Sequence, residues 1–138
     1  MIAGSCLCGA VAYQARALSG PIGHCHCHTC QKAHSAAFAT TARVRRADFA
    51  WTRGEDVQTA FESTPGKLLH LCPRCGSQLM AEWVGQDQVI LRIGSVDSGL
   101  DALPVAHIWV SHAAAWDLAR DDLPRFEEGA PPPKPPAP

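Results

Sequence analysis

The sequence predicts a domain of mainly β structure, and three observations carry the prediction. Short runs rich in Val, Leu, Thr and aromatic residues recur between Gly, Pro, Ser and Thr breaks. One stretch alone has the composition of a helix. The seven cysteines fall into closely spaced groups, which metal explains better than disulfides.

In chain order, the extended segments are Val11 to Ala15, Ala36 to Val44, Val57 to Glu62 and Lys67 to Cys72. Gln78 to Val84 and Gln88 to Ile93 flank Gly85-Gln86-Asp87, which predicts a β-hairpin with a loop of about three residues. Val105 to Val110 adds a further strand. Ala113 to Arg120 (AAAWDLAR) is rich in Ala and Leu and stops short of Pro124, so it is the predicted short C-terminal helix. The final nine residues, APPPKPPAP, contain six prolines and no large apolar anchor. They read as a solvated, disordered polyproline-type tail. The expected organisation is therefore one domain over 1–129 and a tail over 130–138.

A chain of 138 residues buries roughly 70% of its unfolded surface, so a conventional core is available. A composition of 46% hydrophobic and 18% charged residues supports such a core and argues against disorder throughout. No run approaches the ~18 apolar residues that span a bilayer, which gives no membrane partner. The start, MIAGSCLCGAV, has no basic region and no signal-length apolar run, so the expected compartment is the cytoplasm. Disulfides are disfavoured there, and seven cysteines cannot all pair within one chain. The formal charge of -1 gives no drive toward a polyanion, and the basic patch Arg43, Arg45 and Arg46 is followed closely by Asp48 and Glu55. No nucleic-acid partner is expected.

Cys72-Pro73-Arg74-Cys75-Gly76 is the most specific local signal. A two-residue gap lets both thiolates reach one ion, Pro73 sets the turn and Gly76 permits the tight backbone beyond it. Such a knuckle supplies two ligands, whereas a closed tetrahedral site needs four. Cys6-Leu7-Cys8 offers a second pair, with alternation along an extended chain placing both sulfurs on one side. Cys25-His26-Cys27-His28-Thr29-Cys30 offers three sulfurs, the count of an open site.

The seven thus divide as four plus three. Cys6, Cys8, Cys72 and Cys75 close a structural zinc, while Cys25, Cys27 and Cys30 hold a second zinc with a vacant position, giving two Zn²⁺ per chain. The alternative is a single zinc with one central cysteine simply buried. Sulfur ligation alone also admits iron. His24, His26 and His28 alternate with the central sulfurs, so they read as surface groups or as partners behind the ligands.

Taken together, GSCLCGAVAY at 4–13, CHCHTCQKAHSAAF at 25–38, FESTPGKLLHLCPRCGSQL at 61–79, IGSVD at 93–97 and HIWVSHAAAWDLARDDLPRFEEG at 107–129 resemble the glutathione-dependent formaldehyde-activating enzyme family, which includes the centromere protein V group. The order CxC, CxCxxC, CPxCGS is far more specific than any one part. The resemblance implies a β-tent-like fold of folded antiparallel sheets around zinc. It also implies the reaction in which glutathione and formaldehyde give S-(hydroxymethyl)glutathione, the reverse of a carbon-sulfur lyase. Three departures stand out: Leu69 where a basic residue is usual, Ala115 where proline is common before the tryptophan, and His34-Ser35 in place of a Gly-containing pair. They leave both cysteine sites intact and bear on the identity of the thiol.

A zinc held by three thiolates is a weak Lewis acid, suited to a soft ligand such as a thiol rather than to making hydroxide. The expected catalytic centre is therefore the trio Cys25, Cys27 and Cys30. His26, His28 and Lys32 are near it in sequence, and Ser63, Thr64 and Lys67 are candidates for binding the substrate carboxylates. Three other readings predict no such turnover: a thiol-adduct carrier, a zinc-stapled interaction module and a thiol redox sensor.

Overall fold

The computed structural model describes residues 1–117 and 121–131 and is mainly β. Eleven strands form two sheets among the described residues. A four-stranded antiparallel sheet is built from β1 (Ile2–Ser5), β2 (Ala12–Ala15), β5 (Phe49–Arg53) and β10 (Val96–Ser98), in the order β10-β1-β2-β5. The second sheet has seven strands: β3 (Ile22–Cys25), β4 (Ala39–Arg45), β6 (Thr59–Thr64), β7 (Lys67–Leu71), β8 (Gln78–Trp83), β9 (Gln88–Arg92) and β11 (Pro104–Ile108). Their order is β11-β3-β4-β9-β8-β7-β6, and every pairing is antiparallel except β11 with β3.

The main core lies between these sheets. Ile2, Val11, Tyr13 and Ala15 on one side meet Val44, Leu79, Met80, Val89 and Leu91 on the other, and Cys6 and Cys72 are buried among them. A smaller cluster is separate: Cys25, Cys30 and Ala39 are buried together, with Cys27, Ile108 and Trp109 packed against them. The two sets of cysteines therefore sit in different packing environments.

The predicted strands from Val11 through Val110 are present with shifted ends, and the hairpin turns over residues 84–87 with Gly85 at φ 80°. β1, β3, β5 and β10 were not anticipated. The expected Ala113–Arg120 helix is not found over its described part. Val110–His112 is a single 3-10 turn, 113–117 contain only a turn, and 118–120 lie outside the described residues, as do residues 132–138 of the expected tail. The backbone here is committed elsewhere: Trp109 N–H donates to Glu128 O at 2.8 Å, and Val110 N–H to Phe126 O at 3.1 Å. Such ties outweigh the helix propensity of a few alanines.

The one α-helix among the described residues, α1 (His28–His34), lies instead within the central cysteine group. Cys27 is its N-cap, with Sγ accepting from Cys30 N–H at 3.4 Å. Gln31 ties the helix down, donating from Nε2 to His26 O at 2.5 Å and to His112 O at 2.7 Å.

Ser35 ends α1 at φ 49°, ψ 44°, the left-handed region that glycine enters more readily. Relief of about 1–2 kcal/mol of local strain, less about 0.5–1 kcal/mol of extra chain entropy, makes Ser35→Gly stabilising by roughly 0.5–1 kcal/mol. A thermal midpoint raised by a few degrees is expected, and a lowered one would show that the serine side chain matters more than the backbone.

Candidate metal centre

The structure brings Cys6, Cys8, Cys72 and Cys75 together, with all four sulfurs within 4.8 Å of one another. Contrary to the extended geometry expected for Cys6-Leu7-Cys8, the chain leaves β1 and turns here, so Leu7 is left 87% exposed. Val11 N–H donates to Cys6 Sγ at 3.3 Å, and Leu7 N–H reaches across to Ser77 Oγ at 3.0 Å, joining the two knuckles. On the opposite knuckle, Gly76 adopts φ 77° and donates to Cys72 O at 2.8 Å, and Cys72 N–H donates to Ser77 O at 3.0 Å. A tetrahedron of sulfurs about 2.3 Å from a zinc has edges of about 3.8 Å. Cys6 to Cys8 is 3.6 Å and Cys8 to Cys72 is 3.8 Å, and these two edges match a tetrahedral zinc site.

Cys25, Cys27 and Cys30 form the second cluster, again with sulfurs within 4.8 Å. Cys25 is the last residue of β3, Cys27 caps α1 and Cys30 lies in its first turn, so strand end, cap and helix each contribute one sulfur. Hydrogen bonds from Cys25 and Cys30, helped by the charge of Lys67, hold the Cys27 thiol far below its ordinary pKa. The Cys25 thiol is pushed up by Cys27 first and Cys30 second, with burial adding to both. For Cys30, the Cys25 hydrogen bond and Arg92 pull down, but Cys27 and burial outweigh them and the thiol is raised. The protein alone thus favours one thiolate with two thiols donating to it. Three thiolates at this spacing require a cation, and a soft divalent ion fits a set composed only of sulfur.

The histidines do not join these clusters among the described residues. His24 Nδ1 lies 3.0 Å from Thr40 Oγ1, and His28 stacks on His112 with ring centroids 4.6 Å apart. His26 is fully buried, 2.7 Å from His107 Nδ1 and 3.3 Å from Asp117, while His107 reaches Asp121 at 2.9 Å. The rings lie off the sulfur clusters, but not by the expected alternation, since β3 ends at Cys25, Cys27 caps α1 and His28 begins it, and His26 faces a buried polar chain that spacing could not reveal.

A cavity of about 520 Å³ opens beside α1, lined by His28, Thr29 and Lys32 from the helix and by Phe61, Ser63 and Leu69 from β6 and β7. His28, Lys32 and Ser63 thus meet as candidates, whereas Thr64 does not line this space. Lys67 acts at longer range on Cys27 and sits 5.3 Å from the Trp83 ring. Arg92 went unnoticed in the sequence. It is 4% exposed, and its Nη1 donates to Cys30 Sγ at 3.8 Å, placing a permanent positive charge against the trio.

No helix among the described residues is long and apolar enough to cross a membrane. No curated protein matches the sequence. A crystal structure of a Rhodobacter sphaeroides protein, solved as a structural-genomics target, shares the fold with a TM-score of 0.61 and 19% identity, covering 72% of this chain and 91% of that one. The family model for the glutathione-dependent formaldehyde-activating enzyme matches residues 1–112. With that match covering most of the sequence, the chain belongs to the glutathione-dependent formaldehyde-activating enzyme family.

Proposed function

We propose that the chain joins a small thiol of the glutathione class to formaldehyde, forming S-(hydroxymethyl)glutathione or a close analogue. In this reading Cys6, Cys8, Cys72 and Cys75 hold a structural zinc, and Cys25, Cys27 and Cys30 hold the zinc at which the thiol is taken up. The observation that carries it is the trio itself: three converging sulfurs, one short of a tetrahedron, with Cys27 and Cys30 flanking in sequence the His28 and Thr29 that line a cavity of about 520 Å³. When bound, zinc supplies a soft fourth position that favours the ionised form of an incoming thiol.

In the addition, a sulfur lone pair forms the S–C bond, the C=O π pair becomes an alkoxide and a proton neutralises it. Phe61 and Leu69 give one wall of the cavity an apolar surface. Thr29, Ser63 and Lys32 supply its hydroxyls and a cation for the polar parts of the reactants. His26 is tied to His107 and Asp117, so its role is to brace the chain between Cys25 and Cys27.

A free thiol of pKa ~8.5 is only ~3% ionised at pH 7, so ionisation accounts for at most ~30-fold. Any larger acceleration comes from holding the reactants together. The test is adduct formation followed by NMR at matched zinc, with and without the protein. Saturable acceleration of at least tenfold is expected. A rate equal to the spontaneous one, with saturable glutathione binding, would make the chain a carrier instead.

A further inference from the structure

A second cavity, of about 650 Å³, reaches from Cys6 of the quartet to Arg92, whose Nη1 touches Cys30 of the trio. Three buried side-chain polar atoms without a hydrogen-bond partner among the described residues belong to residues lining this one cavity: Arg92 Nε, His34 Nε2 and Gln78 Oε1. Buried polar groups are ordinarily paired, so three unpaired ones in the wall of a single cavity call for a polar partner there. Arg92 follows Leu91 at the end of β9. Leu91 lies in the main core, and alternation turns Arg92 to the other face, toward α1. No carboxylate among the described residues stands within ion-pair distance of its guanidinium. Asp97 is the cavity's acidic residue and is exposed, while His34 is held neutral, its pKa lowered to about 4 by burial and then by Arg92.

We propose that this cavity is a carboxylate site, in which Arg92 receives the carboxylate of the thiol substrate and Gln78 Oε1 accepts from an amide N–H of the same molecule. A guanidinium offers parallel donors in a fixed fork, which a carboxylate matches and a hydroxyl or thioether does not. Gln78 also lines the cavity beside α1, so the two spaces meet at this side chain. The sulfur end of this arrangement rests on the thiol-binding reading above, but the unspent guanidinium edge does not.

The test uses zinc-loaded wild type and three ligands. N-acetylcysteine has thiol, amide and carboxylate. N-acetylcysteamine lacks only the carboxylate, and S-methyl-N-acetylcysteine lacks only the free thiol. Calorimetry should show N-acetylcysteine binding at least tenfold more tightly than N-acetylcysteamine, with Arg92→Gln bringing the acid down to the level of its decarboxylated analogue and Arg92→Lys retaining part of the preference. Because Arg92 also touches Cys30, zinc content is measured on each variant. The side-chain Nε–H resonance of Arg92 in the wild type supplies a readout that needs no substitution, and it should shift with both acids and stay still with N-acetylcysteamine.

Equal affinities with an unmoved Arg92 resonance would overturn the proposal and leave the cavity to water. A preference for the acid that survives in Arg92→Gln would overturn it as well. If neither thiol binds through sulfur, the thiol reading fails. The S-methyl acid still decides the carboxylate site, by shifting the Arg92 signal or not.

Discussion

Cys72→Ser is expected to leave the chain insoluble or without fixed tertiary structure. Cys72 is fully buried in the main core, between the two sheets, and its sulfur is one corner of the quartet. A structural zinc contributes ~10–16 kcal/mol in small model systems, against ~5–15 kcal/mol for the stability of a whole domain. Removing a corner also leaves a serine hydroxyl buried at the quartet in place of a thiolate ligand. Soluble yield, near-ultraviolet circular dichroism and zinc content together report the effect. Soluble protein with an unchanged thermal midpoint would mean that the sheets hold without this site.

Cys27→Ser is expected to do the opposite, sparing the fold and removing the function. Serine is among the best N-cap residues, so its Oγ replaces Sγ as acceptor for Cys30 N–H and α1 keeps its start. The trio packs in its own small cluster, apart from the main core, so less than about 2 kcal/mol of stability is at stake. With one of three sulfurs gone, the thiol loses its ionised state at pH 7, and acceleration should fall at least tenfold, toward the spontaneous rate. Unfolding as severe as that of Cys72→Ser would refute the division of labour between the two clusters.

The division of the cysteines was legible because it depends on counting ligands and on local spacing, and both survive any detail of the fold. The Gln78 to Ile93 hairpin was legible for a similar reason, since alternation and a glycine turn are local. β1 and β3 were not: IAGS and IGHC are short and carry glycine, so they read as breaks until a neighbouring strand pairs with them. α1 escaped because HTCQKAH spans only seven residues, about two turns and too short to repeat an apolar face, and owes its start to a cysteine cap that is itself a candidate ligand. AAAWDLAR failed in the reverse direction, where composition suggested a helix but strand-like ties to residues 126–128 claimed the preceding backbone. Arg92 could not be singled out at all. In LRIGSVD it reads as an ordinary strand-end charge, and only its burial and its contact with Cys30 give it meaning.

Zinc per chain, measured by plasma mass spectrometry on purified and zinc-reconstituted protein, bears most directly on the four-plus-three arrangement. Two atoms are expected in the wild type, and one in a folded variant with Cys25, Cys27 and Cys30 all changed to serine. A single tightly held atom in the wild type, unaltered by the triple substitution, would show that the central sulfurs do not hold a metal.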